Sequence, residues 1–158
     1  MIGELSELLR HSLANGKAGD APLSDELEAA RNYLEIEKIR FEEKLIVSFD
    51  VEPRAGAFRV PSMLIHPLVE NAVKYGMQTS PMPLRVEVNA RADNGALRLE
   101  VINTGKWIER SANVAGANVG IENVRQRLRQ AFPERHRFDV FEREGRVHAV
   151  MEVGRRPQ

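Results

Sequence analysis

Cysteine is absent from the 158 residues, which excludes disulfides, thiolate metal sites and cysteine nucleophiles and agrees with a reducing compartment. No apolar run approaches the roughly 18 residues needed to span a bilayer, and the N-terminus lacks the basic-then-apolar layout of a secretory signal. A cytoplasmic chain is expected. An excess of either charge is missing too: 23 basic residues balance 23 acidic ones, so no global field draws the chain to nucleic acid or to an anionic membrane. No nucleic-acid partner is expected, and any anionic ligand must be held by a local site. Histidines are few and scattered, at positions 11, 66, 136 and 148, which suggests neither a transition-metal cluster nor an acid–base pair.

What is present is the balance of a globular protein, 42% hydrophobic and 29% charged. The length fits one domain with an extra helical arm. Ile2, Leu5, Leu8, Leu9 and Leu13 recur at three- and four-residue steps, which predicts a short helix with one apolar stripe. That helical phase begins at once, as expected if an upstream portion precedes it. Residues 15–22 break the pattern. Ser24 stands where an N-cap belongs, with Asp25, Glu26 and Glu28 in the first turn, so a helix is predicted over 25–42. Its apolar positions cover more than one stripe, as a helix packing on both a domain and a partner helix would require.

Alternation predicts a strand over 45–51, followed by a loop through residue 61. Apolar residues return at helical spacing from Ser62, and Gly76 is read as the C′ residue closing that helix. Strands over 84–92 and 96–102 are joined by Asp93-Asn94-Gly95, a hairpin signal because Asn-Gly tolerates positive φ. Residues 103–119 read as a long loop, and a helix carrying Ile121, Val124, Leu128 and Phe132 is halted by Pro133. Strands over 138–141 and 147–153 finish the chain around Glu144-Gly145. Paired strands favour an α+β fold, a two-layer sandwich with a mixed sheet and helices on one face.

The stretch HPLVENAVKYG (66–76) puts Asn71, Lys74 and Tyr75 on one helix face, a turn beyond Pro67. Asn71 offers a neutral oxygen suited to a hard cation such as Mg²⁺. Lys74 can neutralise a phosphate, and Tyr75 can present a flat surface to a base or ribose. A solvated helix side explains such residues in most helices, but two further motifs follow here. VINTG (101–105) ends a strand, and GANVG (116–120) places glycines immediately before a helix, where backbone N–H groups and the helix terminus favour phosphate.

HPLVENAVKYG resembles the N box of histidine kinases, VINTG the G1 box, and GANVGIENVRQRL the G2 box of the LytS/AlgZ/YehU-like branch. LSELLRHSL and LEAARNYLEIEKIRF are similar to the segments that precede the ATP-binding domain in that branch. The resemblance implies the Bergerat, or GHKL, fold over residues 43–158, with residues 1–42 as the end of a helical dimerisation and linker region. It implies ATP and Mg²⁺ as ligands. Asn71 becomes the Mg²⁺ ligand, Lys74 a phosphate contact and Tyr75 a nucleotide-packing residue. Glu70, turned about 100° from Asn71 on a helix, either holds metal-bound water as part of the catalytic set or is a surface acid. Gly105, Gly116 and Gly120 shape the nucleotide loops, and residues 106–118 form a lid. Arg125 and Arg127 are read as helix-surface residues, with a phosphate or the sensor helix as their alternative target.

Two positions depart from the pattern. Asn103 stands where the G1 box normally carries an aspartate that accepts the adenine amino hydrogens; the amide still accepts, without charge, at a loss on the order of 1 kcal/mol. Asn118 stands where a middle glycine is common, and Asn tolerates the left-handed region better than most residues. No PHF-type acceptor motif occurs, and neither His11 nor His66 is read as the acceptor. The expected function is the ATP-binding catalytic domain of a two-component sensor kinase, acting on a histidine outside this chain and unable to autophosphorylate alone. The alternative is a degenerate domain that signals by lid position. Expected partners are the acceptor helix of the parent kinase and a response regulator; the N-terminal helices either pair in a homodimer or fold back. A membrane-anchored parent is expected.

Overall fold

Alternation along the strands decides the architecture, because one face of every central strand must be covered. A computed structural model of the chain describes residues 20–107 and 119–154. The helix predicted at the N-terminus, most of the lid, Gly116 and Asn118 lie outside them. The first element, β1 (Asp20–Pro22), pairs antiparallel with β3 (Arg59–Pro61). Between these come α1 (Leu23–Phe41) and β2 (Leu45–Val51). Next are α2 (His66–Thr79), β4 (Leu84–Asp93) and β5 (Ala96–Thr104). The chain continues with α3 (Val119–Ala131), β6 (His136–Arg143) and β7 (Arg146–Val153).

Five strands form the main sheet in the order β2-β4-β5-β7-β6, with β2 and β4 parallel and every other pair antiparallel. Leu84, Val86, Val88 and Ala90 on β4, with Leu97, Leu99 and Val101 on β5, are all buried. They lie in the same core as Leu68, Val69 and Val73 of α2 and Val124 and Leu128 of α3. The intervening residues Arg85, Arg91 and Arg98 are exposed or partly so, so the other face of the sheet is left to solvent. This is the mixed sheet backed on one face that the strand pairing predicted. Among the described residues no helix is long and apolar enough to cross a membrane.

Helix α1 contributes Leu23, Leu27, Ala30 and Leu34 to that single core. Its cap lies two residues before the expected N-cap at Ser24. Pro22 occupies the cap position with no side-chain bond, and the Leu23 N–H donates to the Phe58 carbonyl at 2.8 Å. The small β1–β3 pair therefore fixes the entry of the helix, and it arises within stretches that read as loop. Helix α2 begins at His66 rather than Ser62, because residues 62–65 form a turn with Met63 at φ +63°. It also runs three residues past Gly76. That glycine is interior and buried, and a Cβ on it would lie 2.5 Å from the Leu84 Cδ1 atom. Close approach to β4, not a left-handed cap, is what it provides. The two hairpins turn as predicted, with positive φ at Asn94-Gly95 and at Glu144-Gly145.

Candidate functional site

Helix α2 lies against β4 and β5, its apolar side inward and its Asn71–Tyr75 edge at the margin of the sheet. There an open pocket of about 380 Å³ is lined by Asn71 and Tyr75 from α2 and by Asn103 near the end of β5. Leu68, Ala72, Val101 and Ile121 supply its apolar walls. Its lining, mostly apolar with a few convergent polar groups, is that of a small-molecule cleft. Residues of the first and second motifs, 32 positions apart at Asn71 and Asn103, thus meet in space.

Asn103 is 95% buried, since only 5% of it is exposed, and its Nδ2 donates to the Thr104 carbonyl at 2.9 Å. A carbonyl accepts only, so the amide cannot turn over without losing that bond, and Oδ1 is the oxygen left to accept from a ligand. The second glycine of GANVG is in place as well. A Cβ on Gly120 would lie 3.4 Å from the Pro67 Cβ and 3.7 Å from the Asn71 Nδ2. The first turn of α3 is therefore pressed against the start of α2, and its N–H groups are brought beside Asn71, where the helix terminus favours an anion.

The C-terminal end of α2 is tied to the end of β5 by hydroxyl groups. Thr79 Oγ1 donates to the Tyr75 carbonyl at 2.9 Å and accepts the Lys106 N–H at 3.0 Å. Ser80 Oγ and Thr104 Oγ1 are 2.6 Å apart. Gly105 has φ +126°, and a Cβ there would collide with Thr79 Oγ1. The VINTG glycine is thus required twice, for its backbone angle and for contact with α2.

Glu70 and Lys74 do not line the pocket. Lys74 is exposed, its Nζ 5.5 Å from the centre of the Tyr75 ring. Glu70 turns away from Asn71 and holds His66, Oε2 to Nε2, at 3.2 Å. Tyr33 of α1 meets that imidazole edge-on at 5.0 Å. Burial raises the Tyr33 phenol above its ordinary range, and the carboxylates of Glu37 and Glu70 push the same way against Arg40. Two lining residues, Lys106 and Trp107, are expected from the sequence only as the first residues of the lid and not as individual contacts. Trp107 is half-buried, and its backbone N–H donates to Glu142 Oε1 at 3.0 Å; a lone Trp just after VINTG was the available signal. Arg125 donates to the Phe138 carbonyl at 3.3 Å and Arg127 to the Ser62 carbonyl at 3.0 Å. Both arginines are therefore engaged within the fold.

The residues present suit a magnesium-bound nucleotide. Asn71 is a neutral oxygen donor beside a helix N-terminus, Lys74 and Lys106 are cations near the pocket, and the buried Asn103 keeps an acceptor for an amine. Among the described residues no group of three or more His, Cys, Asp or Glu could hold a metal ion. A Mg²⁺ ion with few protein ligands and most of its shell from phosphate and water matches that donor set.

Comparison with known proteins agrees with this arrangement. A family model described as histidine kinase matches residues 1–45. The chain is 26% identical to the sensor histidine kinase YesM of Bacillus subtilis, covering 99% of this chain and 26% of that protein. It is 27% identical to the sensor protein LytS of Enterococcus faecalis, covering 97% of this chain and 28% of that protein. The chain thus spans about a quarter of the length of these relatives. The solved catalytic domain of the histidine kinase ThkA superposes with a TM-score of 0.62 at 17% identity, covering 88% of this chain and 97% of that one. ThkA is also known in complex with the response regulator TrrA, with a TM-score of 0.62 at 16% identity and coverage of 98% and 48%. The chain is a homologue of the LytS- and YesM-type sensor histidine kinases and has the GHKL-type fold of histidine kinase catalytic domains.

Proposed function

We propose that this domain binds Mg-ATP and supplies its γ-phosphoryl group to a histidine on a helix outside the chain. The observation that carries the reading is the meeting of Asn71 and Tyr75 with the buried, orientation-fixed amide of Asn103 in one pocket. In the transfer, the acceptor imidazole nitrogen bonds to the γ-phosphorus as the bond to the β–γ bridging oxygen breaks, and ADP leaves with that electron pair. Such a reaction asks the protein mainly for positioning and charge neutralisation. Asn71 would hold the magnesium ion, which neutralises phosphate charge when bound. Tyr75 would pack the nucleotide, Asn103 would accept from the adenine amine, and Lys74 would meet a phosphate. Glu70, paired with His66 and outside the pocket lining, would act in the transfer rather than in nucleotide binding. Gly105, Gly116, Asn118 and Gly120 would shape the loops around the triphosphate.

The parent protein would be a membrane-anchored sensor with this domain in the cytoplasm, and residues 1–42 would continue its helical dimerisation region. A response regulator would receive the phosphoryl group, a role supported by analogy with the ThkA complex. One observation favours a second reading. The uncharged Asn103 weakens the adenine contact, as it would in a module that signals by nucleotide-dependent shape alone. Mixing the chain with an acceptor-helix segment in the presence of Mg-ATP separates the two. Phosphohistidine formed in trans and lost in Asn71→Ala supports the kinase. Its absence, with nucleotide still bound, supports the module. Phosphohistidine forming on the chain by itself contradicts the placing of the acceptor outside it.

A further inference from the structure

Helix α2 carries Asn71 and Tyr75, yet no side chain caps its start. Its N-cap, Ile65, makes no side-chain cap bond. The direction in which the chain enters the helix is set by the turn that feeds it, residues 62–65, in which Met63 takes the left-handed φ of +63°. An unbranched side chain tolerates that region only when its surroundings enforce it.

Two charged side chains from two other helices provide the enforcement. Glu26 of α1 is 5% exposed, and its Oε1 accepts the Leu64 N–H at 3.1 Å. Arg127 of α3 donates from Nη1 to the Ser62 carbonyl at 3.0 Å. The two bonds grip the strained residue from both flanks, one polar group on each side of Met63. Leu64 and Ile65 are fully buried, and Ser62 nearly so, so the turn has no room to slide. The same helix α3 touches α2 again at its first turn, where Gly120 abuts Pro67 and Asn71. Positions 120 and 127 are about 10 Å apart along a helix axis. Helix α3 thus holds the approach to α2 near one end and the metal-binding edge near the other. Helix α1 adds a second hold about two helical turns beyond Glu26, Tyr33 against His66.

We propose that Glu26 and Arg127 are positioning residues: by clamping the turn at 62–64 they set the placement of α2, and with it the direction of Asn71 into the nucleotide pocket. Neither residue lines that pocket, so their influence on a nucleotide must pass through the turn. A shift of α1 or of α3 reaches Asn71 by the same joint. This inference rests on the nucleotide-binding reading above.

Calorimetric titration of the full chain with Mg-ATP tests it, using Glu26→Ala, Arg127→Met and their combination, with Glu26→Gln and Arg125→Met for comparison. Circular dichroism establishes that each variant is folded. Glu26→Ala and Arg127→Met are each expected to weaken binding by about three- to tenfold. The combination should be little worse than either single change, because both act on one joint. Glu26→Gln keeps an acceptor for the Leu64 N–H and should restore most of the affinity. Arg125→Met loses a bond to the Phe138 carbonyl of β6 and should leave affinity unaltered. A purely structural role would lower the unfolding temperature of Glu26→Ala and Arg127→Met while folded protein bound Mg-ATP with parental affinity, and that result overturns the proposal. If the parent chain binds no Mg-ATP, the nucleotide reading itself fails and this inference falls with it.

Discussion

The amide of Asn103 is oriented by a single backbone carbonyl, and that bond separates two effects of restoring an aspartate. A carboxylate would make a charge-assisted contact with the adenine amine, tightening Mg-ATP binding by on the order of 1 kcal/mol. It would also set an oxygen where Nδ2 now donates to Thr104. Asn103→Asp is therefore expected to bind nucleotide more tightly and yet unfold more easily, the latter by about 1–3 kcal/mol in the apo protein. Calorimetry and denaturant unfolding read the two quantities separately; movement of both in the same direction would contradict this account. Tyr33 offers a second residue-level test. Its folded pKa is raised, chiefly by burial and then by Glu37 and Glu70, so the native state keeps a proton that the unfolded chain loses near pH 10. Stability from this group is full below about pH 10 and declines as the pH climbs above it. A late phase of phenolate absorbance should be present in the parent and missing from Tyr33→Phe. Its survival in that variant would show that another group causes it.

At the scale of elements, α2 is the piece on which the site depends, and a glycine lets it lie close to the sheet. Alanine at position 76 would improve helix propensity by roughly 1 kcal/mol. Against that gain, its Cβ would meet Leu84 at 2.5 Å and the Asn103 Nδ2 at 3.3 Å. Leu84 is fully buried and cannot swing aside. Steric cost should win, so Gly76→Ala is expected to lose about 1–3 kcal/mol of stability and to weaken Mg-ATP binding by displacing the Asn103 amide. A variant that unfolds later than the parent would mean that α2 moves off the sheet without penalty. Helix α1 belongs to the same level. Its residues Leu23, Leu27, Ala30 and Leu34 share the core of the sheet, so one side of α1 is fixed by the same burial that holds α2.

For the molecule as a whole, balanced charge means that an anionic ligand has to be held locally, and the proposed place is the margin where α2, β5 and α3 converge. A ligand that binds only the folded state stabilises it by an amount set by its concentration relative to its Kd, about 2.7 kcal/mol at a hundredfold excess. Thermal unfolding of the chain should therefore move to higher temperature with Mg-ATP. The shift should shrink when magnesium is removed with a chelator and vanish in Asn71→Ala. An equal shift in the parent and in that variant would remove Asn71 from the site.

Much of this was legible in the chain itself. Asn94-Gly95 and Glu144-Gly145 carry their turns in local backbone preference, and strict alternation over β4 and β5 announces a sheet with one covered face. Asn71 and Tyr75 were recognisable from their spacing on one helix face, and Asn103 from the resemblance of VINTG to a G1 box. Other features depended on contacts between distant segments. The β1–β3 pair joins residues about 40 positions apart and leaves no period in either short stretch. The start of α2 at His66, the interior place of Gly76 and the bond from Arg127 to Ser62 are likewise set by what packs alongside. Local patterning fixes conformation over a turn or a strand, so the sequence alone determined the elements and their chemistry. Burial against non-neighbouring segments is a property of three dimensions, and only the tertiary structure decided how those elements are held against one another.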